Sequence, residues 1–306
     1  MKLIDVAKDF STEDACLAYL EKMRWPSGLA CLKCGSVRVS AIATKDKRSK
    51  TRRIYQCLEQ ECRHQFTATT GTIFHDTHLP LQKWFLAIAL ICEAKKGISA
   101  NQLKRHLGIQ YRTAWHLAHR IRSAMLDGTN PLTGKVEVDE TYIGAKVPRR
   151  HGPRKSRKEK DVVIGMVERG GKLRFVIAAN AKRASLQPIL EANISRAVQT
   201  IYTDEHPIYP WALMQEFKGK HKTICHKASY GIGDTHTNTV ENAFSLLKRG
   251  LIGTFHKVSI KHLSRYLHEF EFRFNRRDEQ EMLFLETLRN LLCGKKLAYK
   301  TLTAEA

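Results

Sequence analysis

The chain has 306 residues, enough for about two domains with cores of their own, and its 42% hydrophobic content argues for a folded protein. Fifty-two Lys and Arg against thirty Asp and Glu leave a formal charge of +22, a self-repelling excess that a polyanion relieves, so nucleic acid is the expected partner. With no run of about 18 apolar residues and no isolated basic amphipathic helix at a terminus, a membrane is not expected as a partner; the acidic opening MKLIDVAKDFSTEDACLAYL lacks a secretory pattern, which points to the cytoplasm.

Residues 11–23, STEDACLAYLEKM, read as a short helix with Ser11 or Thr12 as N-cap and acidic residues in the first turn. Trp25, Pro26 and Gly28 then break it. Cys31 and Cys34 form a C-x2-C pair followed by Gly35, and after about 22 residues Cys57 and Cys62 form a looser C-x4-C pair. Four thiolates on two turns can close a tetrahedral shell around Zn²⁺, and bunched cysteines in a reducing compartment fit metal better than disulfides. His64 is an alternative ligand for one thiol, and four unrelated core cysteines are the plainer reading. Between the pairs lie Lys45, Lys47, Arg48, Lys50, Arg52 and Arg53, either a loop for phosphate contact on a metal-held ribbon or a solvated charge run. QFTATTGTIF suits a final strand and a turn, so residues 1–72 are expected to form an N-terminal helix and a zinc ribbon.

Residues 73–127 turn helical: LPLQKWFLAIALICEAKK, then SANQLKRHLG, then YRTAWHLAHRIRSAML. Ser99 can cap the middle helix and Gly108 can end it. A short helix, a turn and a second helix bearing Arg112, His116, His119, Arg120 and Arg122 suit a helix-turn-helix whose second helix enters the major groove. The competing reading is a three-helix packing module with basic faces. DGTNPLTGK, 127–135, reads as a linker.

The second half opens on KVEVDETYIG, a strand in which alternation puts Glu137 and Asp139 on one face and Glu140 on the other. A basic loop containing Lys155 follows, then two strands, DVVIGMVER and KLRFVIAAN, joined at Gly170-Gly171 as a hairpin. ASLQPILEANI reads as a helix and QTIYTDEH as a strand ending at Asp204. In HTNTVENAFSLLKRG, residues 236–250, Val240, Phe244, Leu247 and Leu251 make an apolar helical stripe, with Glu241, Ser245 and Lys248 on an adjacent polar face. Thr237, Asn238 and Thr239 are its candidate N-caps. A further amphipathic helix covers 259–275, and residues 279–306 read as a helical tail that frays. The order of elements over 135–278 is that of a mixed α/β domain.

Asp139 within an apolar strand, Asp204 at the end of another and Glu241 at the head of a helix are costly placements unless cations neutralise them. Two Mg²⁺ ions, or Mn²⁺ in their place, held by such carboxylates form a clamp for in-line displacement at phosphorus. Glu140 and Glu205 adjoin the aspartates and compete for the same assignment. His206, His221, His226 and His236 match no zinc-ligand spacing.

VDETYIG, IYTDEH and HTNTVENAFSLLKRG with the segment after it resemble the three acidic motifs of DDE-type bacterial insertion-sequence transposases, and C-x2-C with QFTATTGTIF and PLQKWFLAI resembles the zinc ribbon ahead of that domain in one branch of them. The resemblance spans about residues 10–290. It implies an RNase H-like catalytic domain over 135–278, with Asp139, Asp204 and Glu241 as the metal-binding triad and Lys248 as a contact to terminal DNA. Arg249, Arg112, Arg120 and Lys155 complete the expected DNA contacts. It further implies structural zinc on Cys31, Cys34, Cys57 and Cys62, double-stranded DNA of the transposon ends and target as partner, a homo-oligomer on that DNA, and a place at the nucleoid. The rival is a non-catalytic zinc-containing DNA-binding regulator derived from such an enzyme, which leaves the three acids without a purpose.

Overall fold

The computed structural model describes residues 1–42, 53–144, 161–213, 216–224 and 236–304. In chain order the first elements are α1 (Leu3–Asp9), α2 (Glu13–Arg24), β1 (Val39–Ala41), β2 (Tyr55–Cys57), β3 (Gln65–Phe66), α3 (Leu81–Glu93), α4 (Ala100–Leu107) and α5 (Tyr111–Ala124). Then come β4 (Lys135–Ile143), β5 (Asp161–Glu168), β6 (Leu173–Ala178), α6 (Arg183–Asn193), β7 (Thr200–Asp204), α7 (Ile208–Leu213) and β8 (His221–Ile224). The last are α8 (Asn238–Gly250), a π-helical turn at Leu251–Phe255, α9 (Ile260–Phe274), α10 (Gln280–Cys293) and α11 (Tyr299–Ala304). They fall into two units, Met1–Met125 with Arg276–Ala306, and Leu126–Asn275.

In the first unit the local signals act as read. The Thr12 hydroxyl accepts a hydrogen bond from the Ala15 amide at 3.2 Å and starts α2; Ser99 does the same for Gln102 at the start of α4, and Gly108, at φ +60°, ends it in the left-handed conformation that glycine adopts without strain. The ribbon strands pair antiparallel in the order β1-β2-β3. β3 stops at Phe66 and the rest of QFTATTGTIF turns, because Thr67, Thr69, Thr70 and Thr72 hydrogen-bond locally instead of joining a ladder. Arg53 leaves the basic run and binds Asp14 and Glu21 of α2, each at 2.6 Å; the other basic residues of that run lie outside the described residues.

Residues 279–306, expected to be helical before fraying, form α10 and α11 and carry helix as far as Ala304. Leu283, Phe284, Leu288 and Leu291 of α10 are buried, and the Phe284 ring packs against Phe10 and Phe85 with centroids 6.2 and 6.0 Å away. Nothing local in the sequence tells this helix to return its buried face to the N-terminal core.

In the second unit five strands lie in the order β6-β5-β4-β7-β8. β4, β5 and β6 pair antiparallel, then β7 runs parallel to β4 and β8 parallel to β7. This is the mixed, helix-flanked sheet of an RNase H-like domain. β8 carries no strong strand signal in HKTI and is found only through its partner. Period-two alternation splits the core between the two faces. Val136, Val138, Ile164 and Met166 pack with Leu186, Leu190, Tyr209 and Leu213 on the side of α6 and α7. Val163, Val167 and Phe175 pack with Val240, Phe244 and Leu247 of α8 and Leu263, Leu267 and Phe270 of α9 on the other. The linker reading of 127–135 is corrected in part: Leu132 is buried and exchanges backbone hydrogen bonds with Asn193 and Ser195, each at 2.8 Å, at the base of the sheet. Among the described residues no helix is long and apolar enough to cross a membrane.

Candidate active site and metal centre

Glu137 pairs with Tyr202 where β4 and β7 run parallel, and the ladder stops there. Two residues further along each strand stand Asp139, midway along β4, and Asp204, the last residue of β7, just beyond the point where the parallel pairing ends. On the face of β4 that bears Asp139, α8 lies close because its neighbour in the ladder is Gly165: a methyl there would stand 2.6 Å from Phe244 Cζ. The apolar stripe of α8 is buried at Val240, Phe244 and Leu247, which turns Glu241, Ser245, Lys248 and Arg249 toward a groove of about 580 Å³ that Asp139, Glu140 and Ile252 also line.

Electrostatics tie the three acids together. Burial pushes the Asp139 carboxyl up to about 7, and the charges of Glu140, Asp204 and Glu241 push in the same direction against the lowering hydrogen bond from the Glu140 amide. Positive charge beside such a carboxyl would favour its ionised form. The Thr237 hydroxyl donates to Glu241 Oε1 at 2.9 Å, and Asp204 Oδ1 accepts from the His206 amide at 3.1 Å. Glu140 also reaches the groove lining, and its carboxylate accepts from the Tyr209 hydroxyl, whose burial holds it protonated. The donor set suits hard divalent cations, which take carboxylate oxygens.

The cysteines make a different kind of centre. All four sulfurs of Cys31, Cys34, Cys57 and Cys62 lie within 4.8 Å of one another, with Cys31 to Cys62 at 3.7 Å and Cys34 to Cys57 at 3.5 Å. Four sulfurs at the usual Zn–S length around one tetrahedral centre lie about 3.8 Å apart, so the cluster fits zinc. Gly35, at φ +75°, allows the sharp turn after the second ligand, and the Lys33 amide points at Cys31 Sγ from 3.4 Å. Burial would raise the Cys31 thiol, but the amides of Cys34 and Lys33 and the neighbouring thiols outweigh it and bring it down to about 7. His64 stacks on Phe66 and takes no part in the cluster.

The expected DNA contacts separate. Lys248 and Arg249 line the acid groove. Arg112 is exposed at the start of α5, its guanidinium 4.1 Å from the Tyr299 ring. Arg120 is only 7% exposed and lies 4.6 Å over the Trp84 ring, where burial lowers its pKa to about 10. The expectation that it touches DNA is therefore corrected: the C-terminal half of α5, with His119 and Arg122 also buried, is core. Single-helix periodicity missed this because α5 is packed by more than one neighbour, α3 and α10 as well as α4. Lys155 lies outside the described residues.

The N-cap of α8 falls on the first of its three sequence candidates. Thr237 occupies the N-cap without capping by its side chain. The amides of Thr239 and Val240 instead donate to Glu137 Oε2, at 2.8 and 3.1 Å, a partner about a hundred residues away that no local motif announces.

Residues 131–275 match the model of the ISXO2-like transposase domain, and residues 11–65 match that of the transposase zinc-ribbon domain. An uncharacterized protein in transposable element ISH50 of Halobacterium salinarum is 30% identical over 281 residues, spanning 87% of this chain and 92% of the relative. Two solved structures, of the Mos1 strand transfer complex and of a pre-cleavage Mos1 transpososome, align at TM-scores of 0.31 and 0.27 and identities of 11% and 12%. They cover 69% and 70% of this chain and 78% and 79% of theirs.

Proposed function

Since the chain belongs to the ISXO2-like transposase family, we propose that it binds the ends of its insertion element, hydrolyses them to free 3′-hydroxyls, and joins these to target DNA. What supports the reading most is one observation: Asp139 and Glu241 line a groove with Lys248 and Arg249, and Asp139 feels the charge of Asp204.

Asp139, Asp204 and Glu241 would hold two Mg²⁺, or Mn²⁺. When bound, these ions supply a more acidic water or 3′-hydroxyl and neutralise charge on the leaving oxygen. The chain's own residues do the rest. Thr237 orients Glu241, and burial raises the Asp139 carboxyl to about 7, so that a bound cation would favour its ionised form. Lys248 and Arg249, one and two residues beyond Leu247 on the same helix, bind the phosphates of the terminal nucleotides and set the strand in line. Arg112, at the exposed start of α5, is in position for a duplex groove, as helix-turn-helix modules read bases from the N-terminal end of the second helix. Lys155, in the basic run that follows Gly144 in the sequence, adds phosphate contact. The ribbon, held by zinc on its four thiolates, presents further positive charge. The two ends are processed by a homo-oligomer assembled on them, at the nucleoid.

The test uses a duplex carrying the element's terminal sequence, target plasmid and Mg²⁺. The wild-type protein should join the 3′ end to the target. Asp204→Ala should bind the end DNA but lose joining by about a thousandfold, the several kcal/mol that metal chemistry contributes at about 1.4 kcal/mol per tenfold. Undiminished joining by Asp204→Ala would overturn the assignment.

A further inference from the structure

Glu137 is a carboxylate with no solvent exposure, two residues before Asp139 and on the same face of β4. A buried carboxylate survives only with enough donors to replace water, and this one has four. Arg169 Nε donates to Oε1 at 2.7 Å, the Thr239 hydroxyl to Oε1 at 3.0 Å, and the Thr239 and Val240 amides to Oε2. His236 Nδ1 lies 3.2 Å from Oε1 without hydrogen-bond alignment. Arg169 in turn holds the His236 carbonyl at 2.7 Å and stacks 4.1 Å from the Tyr202 ring on β7. Between them Glu137 and Arg169 therefore fix the backbone at residues 236, 239 and 240, the segment that contains Thr237 and ends one residue before Glu241.

We infer that Glu137 is a positioning residue, which locks the head of α8 to the strand carrying Asp139 and so sets Glu241 at its working distance from the other acids. All its donors are fixed inside the domain, so Glu137 is not a metal ligand. Its charge matters twice, once opposite Arg169 and once at the positive end of a helix, where a carboxylate is favoured. The inference rests on the reading of Asp139, Asp204 and Glu241 as the cation site, and the experiment separates the two.

Protein with its tetrathiolate loaded with zinc is titrated with Mn²⁺, free Mn²⁺ being read by electron paramagnetic resonance, while amide exchange is followed at Thr239 and Val240. Glu137→Gln should weaken Mn²⁺ binding by about 10- to 100-fold, the usual effect of removing a group that orients ligands, and speed exchange at both amides. Thr239→Ala, which removes one hydroxyl donor and spares the ion pair, should act in the same direction by a few-fold with an unchanged melting temperature; it decides the matter if Glu137→Gln fails to fold. The double variant Glu137→Gln, Arg169→Gln also removes the cation that faced the Glu137 carboxylate and should recover melting temperature without recovering Mn²⁺ affinity. Recovery of both would reduce the pair to a stability element and overturn the inference, as would wild-type Mn²⁺ affinity or wild-type amide exchange in Glu137→Gln. Asp139→Asn is the control: if it binds Mn²⁺ as the wild type does, the cation-site reading fails, and amide exchange alone judges Glu137.

Discussion

The cysteine cluster and the acid groove are two ligand sets built in opposite ways. The four sulfurs come from two turns of a small ribbon and already stand at tetrahedral spacing, each within 4.8 Å of the others. The three acids come from two strands and a helix of a full domain; among the described residues they do not form a set that tight, and Asp139 and Glu241 line an open groove while Asp204 acts on Asp139 through its charge. A closed shell suits a metal that substitutes for a hydrophobic core, whereas a set left open keeps room for water and substrate. The same contrast governs what surrounds them. The ribbon leans on its metal, with Cys57 and Phe66 among its few buried groups, and the groove leans on a sheet buried on both faces.

The contrast is broken most forcefully at the ribbon. Cys57→Ser should abolish zinc retention, read by elemental analysis, and unfold the ribbon, read by protease susceptibility around residues 31–66, because zinc supplies such modules with an apparent 10 kcal/mol or more, roughly. Retention of zinc with an intact ribbon would mean that the cluster is not the metal site. Asp139→Asn provides the opposite case: it should leave the melting temperature unchanged or higher while losing cation binding.

Next in size is Gly165→Ala. With its methyl 2.6 Å from Phe244 Cζ and 3.0 Å from Val240 Cγ2, α8 must move off the sheet, a cost of about 1–3 kcal/mol for overpacking. End joining should fall more than stability alone explains, since Glu241 and Lys248 travel with the helix. Equal joining per folded molecule would show that the groove tolerates displacement of α8.

A dependence on pH is also expected. Burial pushes the Glu271 carboxyl on α9 up to about 8, helped by the charge of Asp127 and opposed by the Phe175 amide and Arg174. The folded state thus holds this proton more tightly than the unfolded chain does. Its stabilising contribution is complete below the ordinary carboxylate range near 4.5 and is lost as pH rises through about 8. Glu271→Gln should flatten the decline in melting temperature between these limits; an unchanged slope would assign the decline to other groups.

Much of this was legible in the sequence because the signals are local. The Thr12 and Ser99 caps, the Gly108 stop and the hairpin at Gly170 depend on residues within about a turn of one another, and the cysteine pairs and the apolar stripe of α8 repeat at short, regular spacings. Strand alternation placed Glu137 and Asp139 on one face, but it could not distinguish the carboxylate that faces the groove from the one enclosed by Arg169 and the α8 amides. That distinction is made by contacts between positions 32 to 103 residues apart. The same reason hid the packing of α10 against Phe10 and the burial of Arg120 on Trp84. A basic residue on a helix reads as exposed until the helix is found to be surrounded.

The central claim is that the acids, and not the thiols, form the open site for divalent cations. Zinc-loaded protein treated with Fe²⁺, ascorbate and peroxide reports this directly, since hydroxyl radicals cut the backbone beside bound iron. The account predicts breaks near residues 139, 204 and 241 that excess Mg²⁺ suppresses and that Asp139→Asn removes. Breaks confined to residues 31–62, or spread evenly along the chain and indifferent to Mg²⁺, would contradict it.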